Sequence, residues 1–230
     1  MVLGVLMRKL VLWGHQPADY EEMFALQPED LNKKILEFGC GPSAVNASLP
    51  NIISADPLFV LDKDTLSSKT SLLFAEMLRE VKHHQDRYDF ESHGGLEQLV
   101  WQRKKGIEKF FADYELGLEE QRYIPVTDYH LPFDDFQFDY ALSSHYLFAG
   151  LDNQTVDFHV KIIKELARVA KEVRVFPLID RYGEVSEFLG PVLLELQNEN
   201  YGVELKDVAY SLQKSGNAML RVWAQQCPVE

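Results

Sequence analysis

An apolar strand that runs straight into two closely spaced glycines constrains this chain more than any other feature of its sequence. Residues 35–43 read Ile-Leu-Glu-Phe-Gly-Cys-Gly-Pro-Ser. Glycine has no Cβ, so Gly39 and Gly41 let the backbone approach a small molecule closely. In open α/β sheets such molecules bind at the carboxyl ends of the strands. We therefore predict a ligand-binding turn at the end of a first strand, formed by Gly39, Cys40 and Gly41.

Glu37 lies two residues before the first glycine, and its charge bears on the kind of ligand. A dinucleotide seats its pyrophosphate at such a turn, on a helix N-terminus, and Glu37 would repel those phosphates. S-adenosylmethionine has no phosphate and carries a cationic ammonium and sulfonium, which a carboxylate about 4 Å away favours by roughly 1 to 4 kcal/mol. The dinucleotide alternative stays open, because residues 39–44 also satisfy the pattern G-x-G-x-x-A.

Two further acids follow predicted strands. Residues 51–57 read Asn-Ile-Ile-Ser-Ala-Asp-Pro, a short β-branched run whose terminal Asp56 can accept both ribose hydroxyls of either cofactor. Residues 126–133 read Val-Thr-Asp-Tyr-His-Leu-Pro-Phe and contain Asp128, and the next apolar run begins at Phe138. Since both cofactors need the ribose acid, Glu37 and Asp128 are what favour S-adenosylmethionine.

These motifs resemble the class I methyltransferases that use S-adenosylmethionine, over residues 33–57 and 122–178. In particular, they resemble the methyltransferase type 11-like branch, in which an acid and then L-P-F-x-x-x-x-F-D precede the fourth strand. The wider sequence is similar to a bacterial set of such proteins. The resemblance implies that the glycine turn and Glu37 hold the methionine part, that Asp56 holds the ribose and that Asp128 meets the adenine amino group. Ser43 stands where the family has a third glycine. The remaining predicted cofactor-binding residues are Cys40, Pro57, Tyr129 and Ser143.

The alternation of strands and helices predicts an α/β fold with a parallel sheet and helices on both faces. We expect strands near residues 34–39, 52–56, 122–126, 138–143 and 172–177, with a crossover helix over 155–171 and another helix near 185–198. Residues 203–210 and 217–224 are predicted to form a closing hairpin. Class I methyltransferase sheets end in such a hairpin with one antiparallel strand, so the resemblance implies a Rossmann-like sheet of seven strands in a single domain over 1–230.

Two segments lie outside this minimal sheet. Residues 1–32 include Trp-Gly-His at 13–15, and they either cap the cofactor or cover an edge of the core. Residues 58–121 show apolar positions three and four apart, which predicts a helical insertion broken near 92–95. As a lid over the carboxyl edge, the insertion would define the acceptor pocket, with aromatic walls from Tyr88, Trp101 and Tyr114 together with Tyr146.

Composition excludes several classes of function. The 230 residues carry a net charge of −13, which argues against a nucleic-acid partner. We expect no membrane span and no signal peptide, because Arg8 and Lys9 interrupt the apolar N-terminal run, and hence a cytoplasmic location. Two cysteines, Cys40 and Cys227, make neither a disulfide framework nor a metal site. The basic run 103–105 is interpreted as a solvated helix face, and the oligomeric state is left open.

His145, just past the fourth strand, is the candidate catalytic base. Its ordinary pKa of about 6.5 suits proton uptake near neutrality. The alternative is that it caps the next helix or binds a loop carbonyl. The sequence thus predicts methylation, at oxygen or nitrogen, of a small or medium-sized acceptor. An NAD(P)-dependent oxidoreductase and a non-catalytic binder of S-adenosylmethionine are the other hypotheses.

Overall fold

The computed structural model describes residues 13–49, 51–149, 154–180 and 182–225. Its strands are β1 (Ile35–Phe38), β2 (Ile52–Asp56), β3 (Tyr123–Pro125), β4 (Phe138–Ser144), β5 (Ala170–Phe176), β6 (Tyr201–Asp207) and β7 (Ala218–Ala224). Its α-helices are α1 (Pro17–Met23), α2 (Lys63–His83), α3 (Leu96–Glu119), α4 (Val156–Val169) and α5 (Leu189–Asn198). The predicted strands and helices are present, with ends shifted by a few residues.

One seven-stranded sheet carries all of these strands, in the order β3-β2-β1-β4-β5-β7-β6. The first five strands pair in parallel, whereas β7 is antiparallel to both β5 and β6. The chain moves outward from β1 through β2 to β3 and then returns to place β4 on the other side of β1. Such a reversal leaves a crevice between the carboxyl ends of β1 and β4, where open α/β sheets bind their ligands.

The two faces of the sheet bury different sets of helices. Successive residues of β1 point to opposite faces of the sheet. Ile35 and Leu36 therefore belong to separate hydrophobic clusters. The cluster with Ile35 takes in α1, α2 and α3, and the cluster with Leu36 takes in α4 and α5. The N-terminal segment and the insertion therefore form one helical layer, and the two later helices form the other.

The insertion reaches from one end of the sheet's carboxyl edge to the other. It leaves β2 at Asp56, and the link between α2 and α3 then bonds to the loop between β6 and β7: Asp89 N–H donates to Leu212 O at 2.8 Å, and Lys214 N–H donates to Arg87 O at 3.0 Å. Helix α3 then returns the chain to β3. Among the described residues, no helix is long and apolar enough to cross a membrane.

Buried charge ties the insertion to the N-terminal segment. The guanidinium of Arg103 in α3 is 1% exposed, donates to both carboxylate oxygens of Asp19 in α1 and also donates to the Tyr210 hydroxyl at 2.7 Å. The interpretation of residues 103–105 as a solvated face is thus wrong for Arg103, although Lys104 and Lys105 are exposed. The sequence run shows three cations but not the acid in a distant helix that pairs with one of them.

Two of the aromatic residues predicted to wall an acceptor pocket lie elsewhere. Trp101 is 55% exposed on the outer side of α3. Tyr114 is fully buried against Phe59, and its hydroxyl donates to Leu61 O at 3.0 Å. Helical spacing could not separate the core-facing position from the solvent-facing one, so the prediction was wrong for these two side chains.

Candidate functional site

The predicted glycine turn lies at the crevice between β1 and β4, and Asp56 holds its shape. Gly39 and Gly41 adopt φ values of 65° and 61°, a region that glycine occupies without steric cost. One carboxylate oxygen of Asp56 accepts the Gly41 N–H at 2.7 Å, and the other accepts the Leu58 N–H at 2.7 Å. Pro57 is buried as the first residue of the short 3₁₀-helix that follows. The acid that ends β2 therefore organises the turn that ends β1.

Aromatic side chains cover both glycines. A Cβ built on Gly39 would stand 2.4 Å from the Tyr146 ring, and one built on Gly41 would stand 2.7 Å from Trp13 Nε1. The absence of Cβ atoms thus admits these two rings against the backbone. Tyr146, one of the predicted wall residues, does lie at the turn. Cys40, between the glycines, is buried within the hydrophobic core.

Glu37 is fully buried on the face of the sheet that α1 covers. Its Oε2 accepts a hydrogen bond from Ser54 Oγ at 2.5 Å, and Ser54 Oγ in turn accepts from Asn46 Nδ2 at 3.1 Å. Burial raises the pKa of Glu37, and the hydroxyls of Ser54 and Tyr20 oppose this only in part. The structure therefore places the carboxyl group among Tyr20 and Ser54, on the helix-covered side of β1.

Some buried polar atoms have no hydrogen-bond partner among the described residues. They include Ser143 Oγ, at the carboxyl end of β4, and Trp13 Nε1, over the glycine turn. An unpaired buried hydroxyl or indole N–H carries a desolvation cost that a bound ligand relieves. Both atoms therefore fit a polar ligand seated between β1 and β4.

Asp128 and Tyr129 lie at the outer side of this region. Asp128 Oδ1 accepts the His130 N–H at 2.8 Å, and both residues line a surface groove of about 750 Å³. The Tyr129 ring contacts Phe158 with a centroid distance of 6.0 Å, and Phe158 contacts Tyr146 at 6.2 Å. A row of aromatic rings thus connects Tyr129 to the glycine turn, while Asp128 faces the open groove.

His145 lies just after β4 and stacks on a second histidine. The His145 and His15 rings are 5.2 Å apart between centroids and inclined by 13°. The His15 carbonyl accepts the Ala44 N–H at 2.9 Å, so the N-terminal segment is attached directly to the glycine turn. Both histidines are buried, at 3% and 7% exposure. The structure therefore brings the candidate base to the crevice together with His15 of the N-terminal segment.

The pairing of β5, β7 and β6 at one edge of the sheet identifies the fold. Strand β7 alone runs antiparallel, inserted between β5 and β6, which is how class I methyltransferase sheets end. The chain has the class I methyltransferase fold. In the described residues 42–49, the glycine turn is followed by the three-residue 3₁₀-helix Asn46–Ser48, and α1, α2 and α3 fill the layer above that face.

No family model matches the chain. An uncharacterised protein of Methanocaldococcus jannaschii is 26% identical over 219 residues, which cover 93% of this chain and 96% of the relative.

Solved structures similar to the chain are described as methyltransferases dependent on S-adenosylmethionine. One from Aquifex aeolicus has a TM-score of 0.40 at 15% identity and covers 90% of this chain and 92% of its own. A putative one from Methanococcus maripaludis has a TM-score of 0.41 at 10% identity, covering 99% and 91%. One from Methanosarcina mazei has a TM-score of 0.43 at 14% identity, covering 87% and 99%.

For three residues that the structure brings to the crevice, the sequence supported only a segment-wide alternative, that residues 1–32 either cap the cofactor or cover an edge of the core. Trp13, His15 and Tyr20 come from the N-terminal segment, where nothing repeats and no strand or glycine pattern marks a binding turn. The run Trp-Gly-His at 13–15 was the one available signal. Its glycine matters because α3 passes so closely that a Cβ on Gly14 would stand 2.0 Å from the Arg103 carbonyl oxygen.

Proposed function

We propose that the chain binds S-adenosylmethionine at the crevice between β1 and β4 and transfers its methyl group to a small or medium-sized acceptor. The observation that carries the proposal is the buried polar crevice itself. There the turn held by Asp56 faces Ser143 Oγ, which has no partner in the described part of the chain. Fold alone would not identify the chemistry, because one fold serves many reactions.

The absence of an α-helix directly after the turn argues against a dinucleotide. Dinucleotide sites use the turn to open a helix whose N-terminus holds the pyrophosphate. Here residues 39–49 form the turn and a three-residue 3₁₀-helix, so no such helix terminus faces a phosphate in this described segment. The net charge of −13 adds a general repulsion toward polyanions, nucleic acids included.

Each crevice residue has a separate part in this proposal. Asp56 would accept ribose hydroxyls, since a carboxylate has about four lone-pair positions. Ser143 and the Trp13 indole would bind polar groups of the ligand. Tyr129 and Tyr146 would enclose the adenosyl part, with Asp128 at its edge. When bound, S-adenosylmethionine supplies an electrophilic methyl group on a good leaving group.

The protein then contributes mainly orientation and exclusion of water. Holding a nucleophile and a methyl group in line provides about 7 to 11 kcal/mol in favourable cases. The N-terminal segment covers the turn with Trp13, and the insertion closes the same edge through Arg103. A base is required only when the acceptor carries a proton that must leave, and we assign that task to His145.

Titration calorimetry on the full chain tests the proposal. We expect micromolar dissociation constants for S-adenosylmethionine and S-adenosylhomocysteine and far weaker binding of NAD. Tighter binding of NAD would favour the oxidoreductase alternative. Failure to bind any of the three would overturn the proposal.

A further inference from the structure

A buried histidine on α4 joins that helix to the loop that follows β4. The ring of His159 is fully buried. Its Nε2 accepts the backbone N–H of Phe148 at 3.0 Å, and its Nδ1 lies 2.6 Å from the Thr155 carbonyl oxygen. A backbone N–H only donates and a carbonyl oxygen only accepts, so Nδ1 carries the proton and Nε2 does not. Both contacts are therefore satisfied only by the neutral imidazole, in this one tautomer.

The loop residue bound to His159 has a strained backbone. Phe148 is fully buried and has a φ of 62°, in the left-handed region that large side chains rarely adopt. Its ring stacks on the imidazole with a centroid distance of 4.8 Å, and the Phe188 ring, just before α5, stacks on the imidazole at 5.1 Å. Backbone strain of this kind persists only where surrounding contacts keep it in place. His159 supplies both a hydrogen bond and a ring contact to this strained turn.

The same loop carries part of the proposed cofactor site. It begins after Ser143 at the end of β4, and the Tyr146 ring packs against Gly39 of the glycine turn. The Tyr146 carbonyl accepts from Gln154 Nε2 at 2.8 Å, just before α4. The start of α4 thus holds the loop at residue 146 through Gln154 and at residue 148 through His159. A change at residue 148 is therefore transmitted to the ring that covers the glycine turn.

A second proton on the imidazole is incompatible with this arrangement. The protonated ring has two donors and no acceptor, so the Phe148 N–H would lose its partner. Burial lowers the pKa of His159, and the hydrogen bond to the Thr155 carbonyl opposes this in part. Among the described residues, aromatic rings face the imidazole, whereas the acids of the same segments, Asp157 and Glu187, are exposed. The neutral contacts are therefore fully present above the ordinary histidine pKa and are lost as the pH falls through the lowered one.

We propose that His159 is a positioning residue of the methyl-transfer site, which when neutral holds the loop after β4 against the glycine turn and when protonated releases it. This inference rests on the proposed function and adds a regulation by pH to it. His159 acts through Phe148 and Tyr146 rather than by contact with the reacting atoms. Binding of S-adenosylhomocysteine should weaken as the pH falls below the ordinary histidine range, because apparent affinity scales with the fraction of protein in the binding-competent state.

Two substitutions separate the two side-chain contacts of His159. The amide of glutamine reaches the place of Nε2, so His159→Gln keeps an acceptor for the Phe148 N–H but does not titrate. The shorter amide of asparagine reaches the place of Nδ1, so His159→Asn keeps a donor to Thr155 and leaves the Phe148 N–H unpaired. In both variants the Thr155 carbonyl retains the backbone N–H of residue 159, at 3.1 Å in the unaltered protein. The matched control is His83→Gln, at an exposed histidine of α2.

Titration calorimetry with S-adenosylhomocysteine, on full-length proteins between about pH 5 and pH 8, tests the effect on the site. As the pH falls, the dissociation constants of the unaltered protein and of His83→Gln should rise relative to that of His159→Gln. The constant of His159→Asn should exceed that of His159→Gln by about tenfold near neutral pH, because an unpaired buried N–H opposes closure of the loop. The same pH dependence in the unaltered protein and in His159→Gln, or equal affinities of the two variants, would overturn the proposal.

NMR spectra of the ligand-free protein test the hydrogen bonds themselves. The imidazole signals that disappear in His159→Gln assign His159, and long-range ¹H–¹⁵N correlations should place its proton on Nδ1. The Phe148 amide should exchange with solvent faster in His159→Asn than in His159→Gln. A proton on Nε2, or equal exchange in the two variants, overturns the positioning role without any ligand. If these expectations hold but S-adenosylhomocysteine does not bind at any pH, the proposed function fails instead.

Discussion

At the scale of the residue, two buried serines on neighbouring parts of the site have opposite expected effects. Ser54 Oγ bonds to Glu37 and Asn46, whereas Ser143 Oγ has no partner within the described structure. Ser54→Ala should therefore lower the free energy of unfolding by about 1–3 kcal/mol, since it leaves buried groups unpaired. Ser143→Ala should leave stability unchanged or raise it, yet weaken the binding of S-adenosylhomocysteine. Thermal melts and calorimetry on both variants provide the comparison. Loss of stability without loss of affinity in Ser143→Ala would remove this serine from the ligand site.

Glu37 gives a second prediction at this scale, through its pKa. Burial raises the pKa of Glu37 in the folded chain, so its contribution to stability is present below the unfolded pKa and lost as the pH rises through the folded pKa. Glu37→Gln, which is always neutral, should gain stability relative to the unaltered protein as the pH rises above the usual glutamate range. Urea denaturation across that range measures the difference.

The control for Glu37 is an acid with the opposite shift. Burial acts to raise the pKa of Glu172, but Arg221 and Arg174 lower it overall. Its contribution is therefore present above the unfolded pKa and lost as the pH falls. Glu172→Gln should be most destabilised near neutral pH and least at acidic pH. Parallel pH trends in the two variants would contradict the upward shift of the Glu37 pKa in the folded chain.

At the scale of the element, the contact between α1 and α3 depends on a buried ion pair. Asp19→Asn and Arg103→Met should each lower the free energy of unfolding by about 3–5 kcal/mol, because each leaves one charge without its partner. The double variant should lose less than the sum of the two single losses.

An exposed pair on the same helix is the matched control. Lys105 and Glu108 form an ion pair in solvent, and Lys105→Met should cost about 0–1 kcal/mol. Equal losses for Lys105→Met and Arg103→Met would mean that burial of Arg103 has little energetic effect. Additive losses for Asp19 and Arg103 would mean that the two helices are not coupled through this pair.

At the scale of the whole molecule, the N-terminal segment, the insertion and the sheet meet at one crevice. Hydrogen exchange with and without S-adenosylhomocysteine should therefore show protection in the glycine turn, around Asp56 and in at least one of residues 13–32 and 96–119. The reason is that Trp13 covers the turn, while Arg103 links that segment to α3. Protection confined to the sheet would mean that neither covering segment responds to the ligand, and the hypothesis of a partner-dependent binder would gain support.

The sequence by itself determined the strands, the helices, the glycine turn and the acids at the ends of β2 and β3. These features depend on local periodicity, on glycine and proline positions and on short motifs, all of which act within a few residues. A short pattern also predicted His145 next to the site. The closing hairpin followed in the same way from two β-type runs and the turn residues between them.

Only the tertiary structure decided which of these side chains meet. Asp19 and Arg103 are 84 residues apart in the chain, and His15 and His145 lie in segments joined only through the fold. Alternation along β1 placed Glu37 on one of two faces, but the helices above that face made it a buried acid. Long-range contacts of this kind depend on how whole elements pack, because burial and pairing change the energy of a charged group far more than its neighbours in sequence do.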